Sequence, residues 1–294
     1  MPPPVRTRGV RIGGRERGIA AAIVAAFLSA ATPSWAQGPA SGSNTGALTF
    51  SGGLDVPTIY FFRGIRQEGD PKITFWPHGD LRIQLGSGVA VSVGVWNSLH
   101  TGTSGTGGST RKLHYQENFY STFSLGFGRG LTVGTTFMAY TSPNNSFSTV
   151  KEFDFKVSNA DTLAPYALIA FEIGGTRAGQ ADEGAKKGTY AEFGAGPNWR
   201  LPFGSARLTV PVKVGLSVKD YYELFGSDLK YRDNKFGFFD VGGLVTVPLG
   251  GASRFGSWNI HGGADLLLLG DTTKAFNKGE KRRIVGLVGV GLTY

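Results

Sequence analysis

Apolar and polar residues alternate with a period of two along most of the chain, the mark of strands with one face in each of two environments. The clearest case is Arg207 to Lys219. Leu208, Val210, Val212, Val214, Leu216 and Val218 point one way, and Arg207, Thr209, Lys213, Ser217 and Lys219 the other. Near the C-terminus Ile284, Gly286, Val288, Val290, Leu292 and Tyr294 share a face, with Val285 and Leu287 as apolar exceptions opposite. Val89, Val91, Val93 and Val95 alternate with Ala90, Ser92, Gly94 and Trp96, and Phe153, Phe155 and Val157 with Glu152, Asp154 and Lys156. This pattern predicts about twelve strands, near residues 47–62, 72–85, 88–99, 113–127, 131–141, 149–158, 162–173, 188–200, 206–220, 235–248, 257–269 and 281–294. Their connections alternate between long and short, as in a membrane barrel with loops on one side and tight turns on the other.

Two segments depart from the pattern. Asp265 to Leu269 breaks alternation, which predicts a bulge or a slipped boundary. Pro211 lies inside the best-patterned strand without an N–H for the ladder, which predicts a local irregularity. Aromatic residues fall near the expected strand ends. Tyr60, Phe62, Phe75, Tyr140, Tyr221, Tyr222, Phe236 and Phe238 lie mostly on the long-loop side, and Phe127, Trp199, Phe203, Trp258 and Tyr294 on the short-turn side. Two aromatic girdles at the membrane borders are the expectation.

Composition agrees with an all-β, single transmembrane up-and-down antiparallel barrel over residues 47–294. The chain holds 46 glycines, 12% aromatic residues and only 17% charged ones. Residues 1–36 read as a cleaved signal peptide: Arg6, Arg8, Arg11, Arg15 and Arg17 precede an apolar stretch from Ile19 to Ala31 and the small residues flanking Trp35. Residues 37–46 form a Gly/Ser/Asn/Pro tract expected to be flexible. Five Arg against Glu16 put four positive charges in the leader, so the formal +9 falls to +5 without it. Nucleic-acid binding loses much of its support. The absence of cysteine excludes disulfides, thiolate metal sites and a cysteine nucleophile.

The polar side of the strands should line the barrel interior, because charge facing lipid is costly. The candidate pore-lining residues are Arg63, Asp80, Arg82, Glu152, Asp154, Lys156, Glu192, Lys213, Asp240, His261, Asp265 and Arg283, with Asp55 and His78 beside them. Two readings follow. The charges line a wet pore that passes small polar solutes, or acids and bases pair across a filled lumen and the barrel conducts little. Catalysis is not expected. Ser98 and His100 share an inward face, but residues two apart on a strand stand about 7 Å apart, too far for a nucleophile–base bond. His114, Asn118 and Tyr120 are expected on the inward face too. His78 with Asp80 is a two-residue spacing that alternation alone produces, so no metal site or cofactor is expected. Gly128-Arg129-Gly130 is a turn. The loop cations Arg111, Lys112, Arg177, Lys186, Lys187, Lys278, Lys281 and Arg282 are mixed with Asp182, Glu183, Asp271 and Glu280, and read as solvated loop charge.

Tyr60-Phe61-Phe62-Arg63-Gly64-Ile65-Arg66-Gln67 resembles the Tyr-x-Phe-Arg-Gly-Ile-Ser-Gln signature of the TorF family of porins. Gly94-Val95-Trp96-Asn97-Ser98 and Glu117-Asn118-Phe119-Tyr120 resemble two further stretches of that family. Arg66 replaces the usual serine and Asn118 the usual aspartate. The resemblance covers about the first third of the chain beyond residue 36. It implies an outer-membrane barrel of porin type and supplies no catalytic residues. Arg63 and Gly64 are then expected where the first strand leaves the membrane, as a constriction charge or a loop anchor. The expected setting is the bacterial outer membrane, with its lipids and lipopolysaccharide, small polar solutes and the barrel assembly machinery, which would read the strand ending in Tyr294, as partners. Alternatives to the porin are a non-conducting scaffold barrel and, third, a lipid-modifying enzyme.

Overall fold

The computed structural model describes residues 47–105, 113–175, 186–202, 204–253 and 255–294. The expected signal peptide and flexible tract, Phe203, and the loop residues Arg111, Lys112, Arg177, Asp182 and Glu183 lie outside them. Twelve strands close into an antiparallel barrel. They are β1 (Leu48–Pro57), β2 (Thr74–Gly86), β3 (Val89–His100), β4 (Leu113–Phe127), β5 (Leu131–Thr141), β6 (Val150–Asn159), β7 (Tyr166–Gly175), β8 (Thr189–Ala195, continued by Asn198–Arg200), β9 (Arg207–Thr209, continued by Val212–Lys219), β10 (Phe236–Ser253), β11 (Gly256–Leu269) and β12 (Arg282–Thr293). Each pairs with its chain neighbours, and β1 pairs with β12 to close the ring, Ser51 opposite Thr293 and Pro57 opposite Leu287. Closure leaves no unpaired sheet edge, which a membrane would not tolerate. Among the described residues no helix is long and apolar enough to cross a membrane.

The outer surface is apolar. Leu54, Val93, Phe119, Phe123, Phe153, Phe155, Val157, Phe193, Ile260 and Val288 are exposed on seven of the strands. A belt of this extent has no place in water, where exposed apolar patches are small. At the short-turn rim Phe127, Trp199, Trp258 and Tyr294 point outward and form the expected girdle. The other girdle does not form as expected. Tyr60, Phe62, Tyr140, Tyr221, Tyr222 and Phe238 are buried inside the barrel, and of the eight only Phe236 is an exposed ring. Strand parity explains part of this: Tyr140 and Phe238 fall in phase with the inward Met138 and Asp240.

Asp265 to Leu269 contains no bulge and keeps regular pairing on both sides. Alternation breaks because Leu267 and Leu269 face inward into an apolar zone of the lumen. Pro211 does interrupt its strand, but Thr209 opposite Leu244 and Val212 opposite Val241 stay in one register. A bulge occurs elsewhere, at Tyr115, between the pairs Ser98–Gln116 and Leu99–His114. It turns Tyr115 and Gln116 both inward and sets His114 out of phase, so His114 pairs with Asn97 (2.8 Å) and not with the inward set containing Asn118 and Tyr120.

The lumen wall is built partly from glycine–aromatic pairs. Gly94 lies opposite Tyr120, Gly194 opposite Tyr166 and Gly215 opposite Phe238. In each pair the ring lies across the glycine where a Cβ would stand, so large rings lie flat against the wall. Phe155→Arg, in the middle of the outer belt, should destabilise the barrel by about 2–4 kcal/mol. Leu163→Arg, in a short turn, should have almost no effect. Equal effects of the two in urea unfolding would show that the belt does not face lipid.

Candidate functional site: a hairpin locked in the barrel lumen

The first strand ends five residues sooner than alternation predicts, at Pro57. After it Ile59, Tyr60, Phe61 and Phe62 are apolar without alternation, so neither a lipid-facing nor a water-facing side can be assigned. All four are buried at 1% exposure or less, because the segment folds into the lumen. Phe61 pairs with Arg66 and Phe62 with Ile65 in a hairpin closed by Arg63 and Gly64. Both turn residues have positive φ, 41° and 78°, as the tight two-residue hairpin turn requires. A Cβ on Gly64 would come within 2.9 Å of the Phe238 Cβ, so the tip fits only with glycine there. Arg63 therefore does not stand at the mouth of the first strand. It is carried inward to the tip of the hairpin.

The tip is held by a buried ion pair. Arg63 Nη1 and Nη2 donate to Glu152 Oε1 and Oε2 at 3.0 and 3.1 Å, with exposures of 5% and 1%. The guanidinium also donates to Tyr221 Oη at 2.7 Å and stacks on the Tyr190 ring at 4.1 Å. Tyr140 Oη completes Glu152 at 3.0 Å, and Tyr222 Oη donates to the Arg63 carbonyl at 2.8 Å. Tyr221 and Tyr222 come from the loop after β9. That loop is tied to the short helix Asp271–Phe276 through Thr272, whose Oγ1 donates to the Tyr222 carbonyl at 2.8 Å. A bidentate carboxylate, a stacked ring and a phenol on one guanidinium use the planar fork of arginine, which lysine lacks.

The hairpin base is fixed as firmly. The Glu68 carboxylate accepts from the Tyr60 N–H at 2.5 Å and from the Thr74 hydroxyl, and Arg66 Nε donates to the Glu68 carbonyl. Tyr60 Oη donates to Gln116, Gln116 to Asn118, and Tyr115 Oη to Gln67. The Tyr60 ring packs on Trp76 and Trp96 at 5.2 and 5.5 Å. Residues from all three resembled stretches thus meet around one hairpin.

Ser98 and His100 do touch, contrary to the spacing argument. Their side chains lean together to 2.8 Å (Ser98 Oγ to His100 Nε2), and His100 Nδ1 lies 3.0 Å from Ser104 Oγ. Trp76 Nε1 donates to Ser98 Oγ, and His100 stacks on Tyr115. Both Ser98 and His100 are fully buried, and this chain of hydrogen bonds seats the hairpin.

The other candidate lining residues stand on the inner wall. Asp80 and Arg82 lie on β2, Glu152, Asp154 and Lys156 on β6, Glu192 on β8, Lys213 on β9, Asp240 on β10, His261 and Asp265 on β11, and Arg283 on β12. Many are paired. Lys213 Nζ meets Asp240 Oδ2 at 3.2 Å, His261 Nε2 meets Asp55 Oδ1 at 2.9 Å, and Tyr166 and Tyr190 donate to Glu192 at 2.6 and 2.5 Å. Arg283 pairs with Glu280 at the long-loop rim, at 3.3 Å. His78 Nδ1 lies 3.9 Å from Asp55, and among the described residues no three acidic, histidine or cysteine groups converge as a metal site.

No family model and no curated protein matches the chain. The TorF resemblance therefore stands on its short motifs alone. Among solved structures the chain is similar to the translocator domain of the autotransporter NalP from Neisseria meningitidis, at 11% identity over 85% of this chain and 89% of that one, with a TM-score of 0.38. It is similar to OmpF of Salmonella typhi at 10% identity over 84% and 97%, with a TM-score of 0.36. A bacterial polysaccharide outer membrane secretin gives 7% identity over 86% and 99%, with a TM-score of 0.42. Likenesses this remote say nothing of activity, which has to be read from the geometry.

Arg63→Met would leave Glu152 buried with one phenol for a partner. Breaking one side of a buried pair costs about 3–5 kcal/mol, whereas neutralising both sides costs far less. Urea unfolding should show that loss for Arg63→Met and recovery of most of it in Arg63→Met/Glu152→Gln. Equal losses in the two would mean that the pair does not hold the hairpin. Burial pushes the Glu68 carboxyl above the ordinary carboxylate range, and its hydrogen bonds with Thr74 and the Tyr60 N–H pull it back only in part. An acid raised on folding adds stability that is fully present below its unfolded value and is lost as pH rises through the raised value. Glu68→Gln should flatten that part of the stability profile; an unchanged profile would place the dependence on another group.

Proposed function

We propose that the protein is an outer-membrane barrel of porin type whose lumen is closed at rest by the Tyr60–Gln67 hairpin, and that small polar solutes pass only when the hairpin leaves. The observation that carries this reading is the Arg63–Glu152 pair, which pins the hairpin across the lumen. The apolar outer belt and the short-turn girdle support membrane insertion. Toward the short turns the wall is polar, with Asp55, His261, Asp80, Arg82 and Arg207 facing inward, as a wet passage would require. The filled half of the lumen also supports the second reading, a non-conducting scaffold barrel.

Planar-bilayer recording separates the two. The wild-type barrel should insert and stay nearly silent, and Arg63→Met/Glu152→Gln should show discrete openings. Steady large openings of the wild type would contradict closure by the hairpin. Silence of both proteins after verified insertion would favour the scaffold.

A further inference from the structure

Around Glu192 on the inner wall stand four further carboxylates, Glu152, Asp154, Asp240 and Asp265, with the cations Lys156 and Lys213 on the wall and Arg63 at the hairpin tip. They form one connected group. Asp154 is in electrostatic contact with Glu152, Arg63, Glu192 and Lys156, Asp240 with Lys213 and Glu192, and Asp265 with Asp240 and Lys213. Carboxyl groups outnumber cations five to three in this group, and a carboxylate away from water is costly unless it is paired or neutralised.

Most of the nearby donors are committed. Arg63 and Tyr140 hold Glu152, Tyr166 and Tyr190 hold Glu192, and Lys213 holds Asp240 Oδ2. Lys156 Nζ stands over the Tyr166 ring at 4.5 Å. Asp154 Oδ1 and Asp240 Oδ1 remain, each without a hydrogen-bond partner. Their residues are only 6% and 3% exposed. Both belong to the group centred on Glu192, their common neighbour. Orphaned buried oxygens are rare in folded proteins, and a bound ion is one thing that satisfies them.

We propose that this acidic wall is a binding site for small monovalent cations, alkali ions or ammonium, taken up at the Asp154 and Asp240 carboxylates. A divalent ion asks for six or more oxygens, and no set of three ligating groups converges among the described residues. A single unpartnered carboxylate oxygen suits a monovalent ion or an ammonium N–H, which asks for fewer ligands. The site lies on the wall itself and does not depend on whether the lumen conducts.

Urea unfolding of the folded barrel in detergent, at constant ionic strength, tests this with potassium, ammonium or choline chloride as the salt. Binding to the folded state alone raises the unfolding midpoint with ligand concentration. Potassium or ammonium should raise the midpoint over choline, which is too bulky to enter, and the larger shift identifies the preferred ion. Asp154→Asn/Asp240→Asn should abolish the difference, because the amides carry no charge to neutralise. Either single variant should reduce it, and serves if the double variant does not fold. Identical wild-type midpoints in the three salts, or a potassium shift that survives in the variants, would overturn the proposal.

Discussion

The arrangement of the lumen depends on one buried ion pair. A guanidinium and a carboxylate taken out of water each lose several kcal/mol of hydration, which they recover only with close geometry and filled hydrogen-bonding positions. Arg63 and Glu152 meet both conditions, with two parallel hydrogen bonds, phenols from Tyr221 and Tyr140, and the Tyr190 ring beneath the guanidinium. The pair joins a segment beyond β1 to the wall at β6, on the far side of the lumen. Most other features on the long-loop side follow from that placement. Gly64 is required where the tip meets Phe238, and the loop bearing Tyr221 and Tyr222 is drawn in over Arg63 and backed by the short helix.

Two kinds of interior therefore share one barrel. On the long-loop side aromatic rings and the hairpin make a dry core resembling that of a soluble protein, with Leu267, Leu269 and Leu287 contributed by the wall. Below it the wall is polar, with His261 on Asp55, Lys213 on Asp240 and an excess of carboxylates. The glycine–aromatic pairs serve both zones by letting rings lie flat where the lumen is narrow. A hairpin held by polar contacts in an apolar setting is either fully docked or lost, because a half-satisfied polar network is poorer than none.

The barrel was largely legible in the sequence because lipid outside and polar groups inside impose a strict period of two. Strand positions, loop asymmetry, the short-turn girdle and the inward set from Asp80 to Asp265 all follow from that period. It fails where the inner side of a segment meets protein and not water. Ile59 to Phe62 looked like the end of a strand, the long-side aromatics like a girdle, and Asp265 to Leu269 like a bulge. Ile59 to Phe62 and most of the long-side aromatics pack inside the lumen, and Leu267 and Leu269 face its apolar zone while Leu266 and Leu268 face outward. The bulge at Tyr115 had no signal of its own, since its flanks keep the right composition on either face. The contact of Ser98 with His100 escaped the spacing argument because backbone spacing fixes Cα positions and not where side chains lean. The continuous apolar run before Arg63-Gly64 was the one visible trace of the plug.

Closure of the lumen by the hairpin is tested most directly at Ser98, which is fully buried at the hairpin base. The chain has no cysteine, so Ser98→Cys gives a single thiol whose reaction with a membrane-impermeant maleimide can be followed by mass. The account predicts that this thiol stays protected in the intact barrel and reacts readily once Arg63→Met/Glu152→Gln is added. Rapid labelling of Ser98→Cys with the pair intact would contradict it.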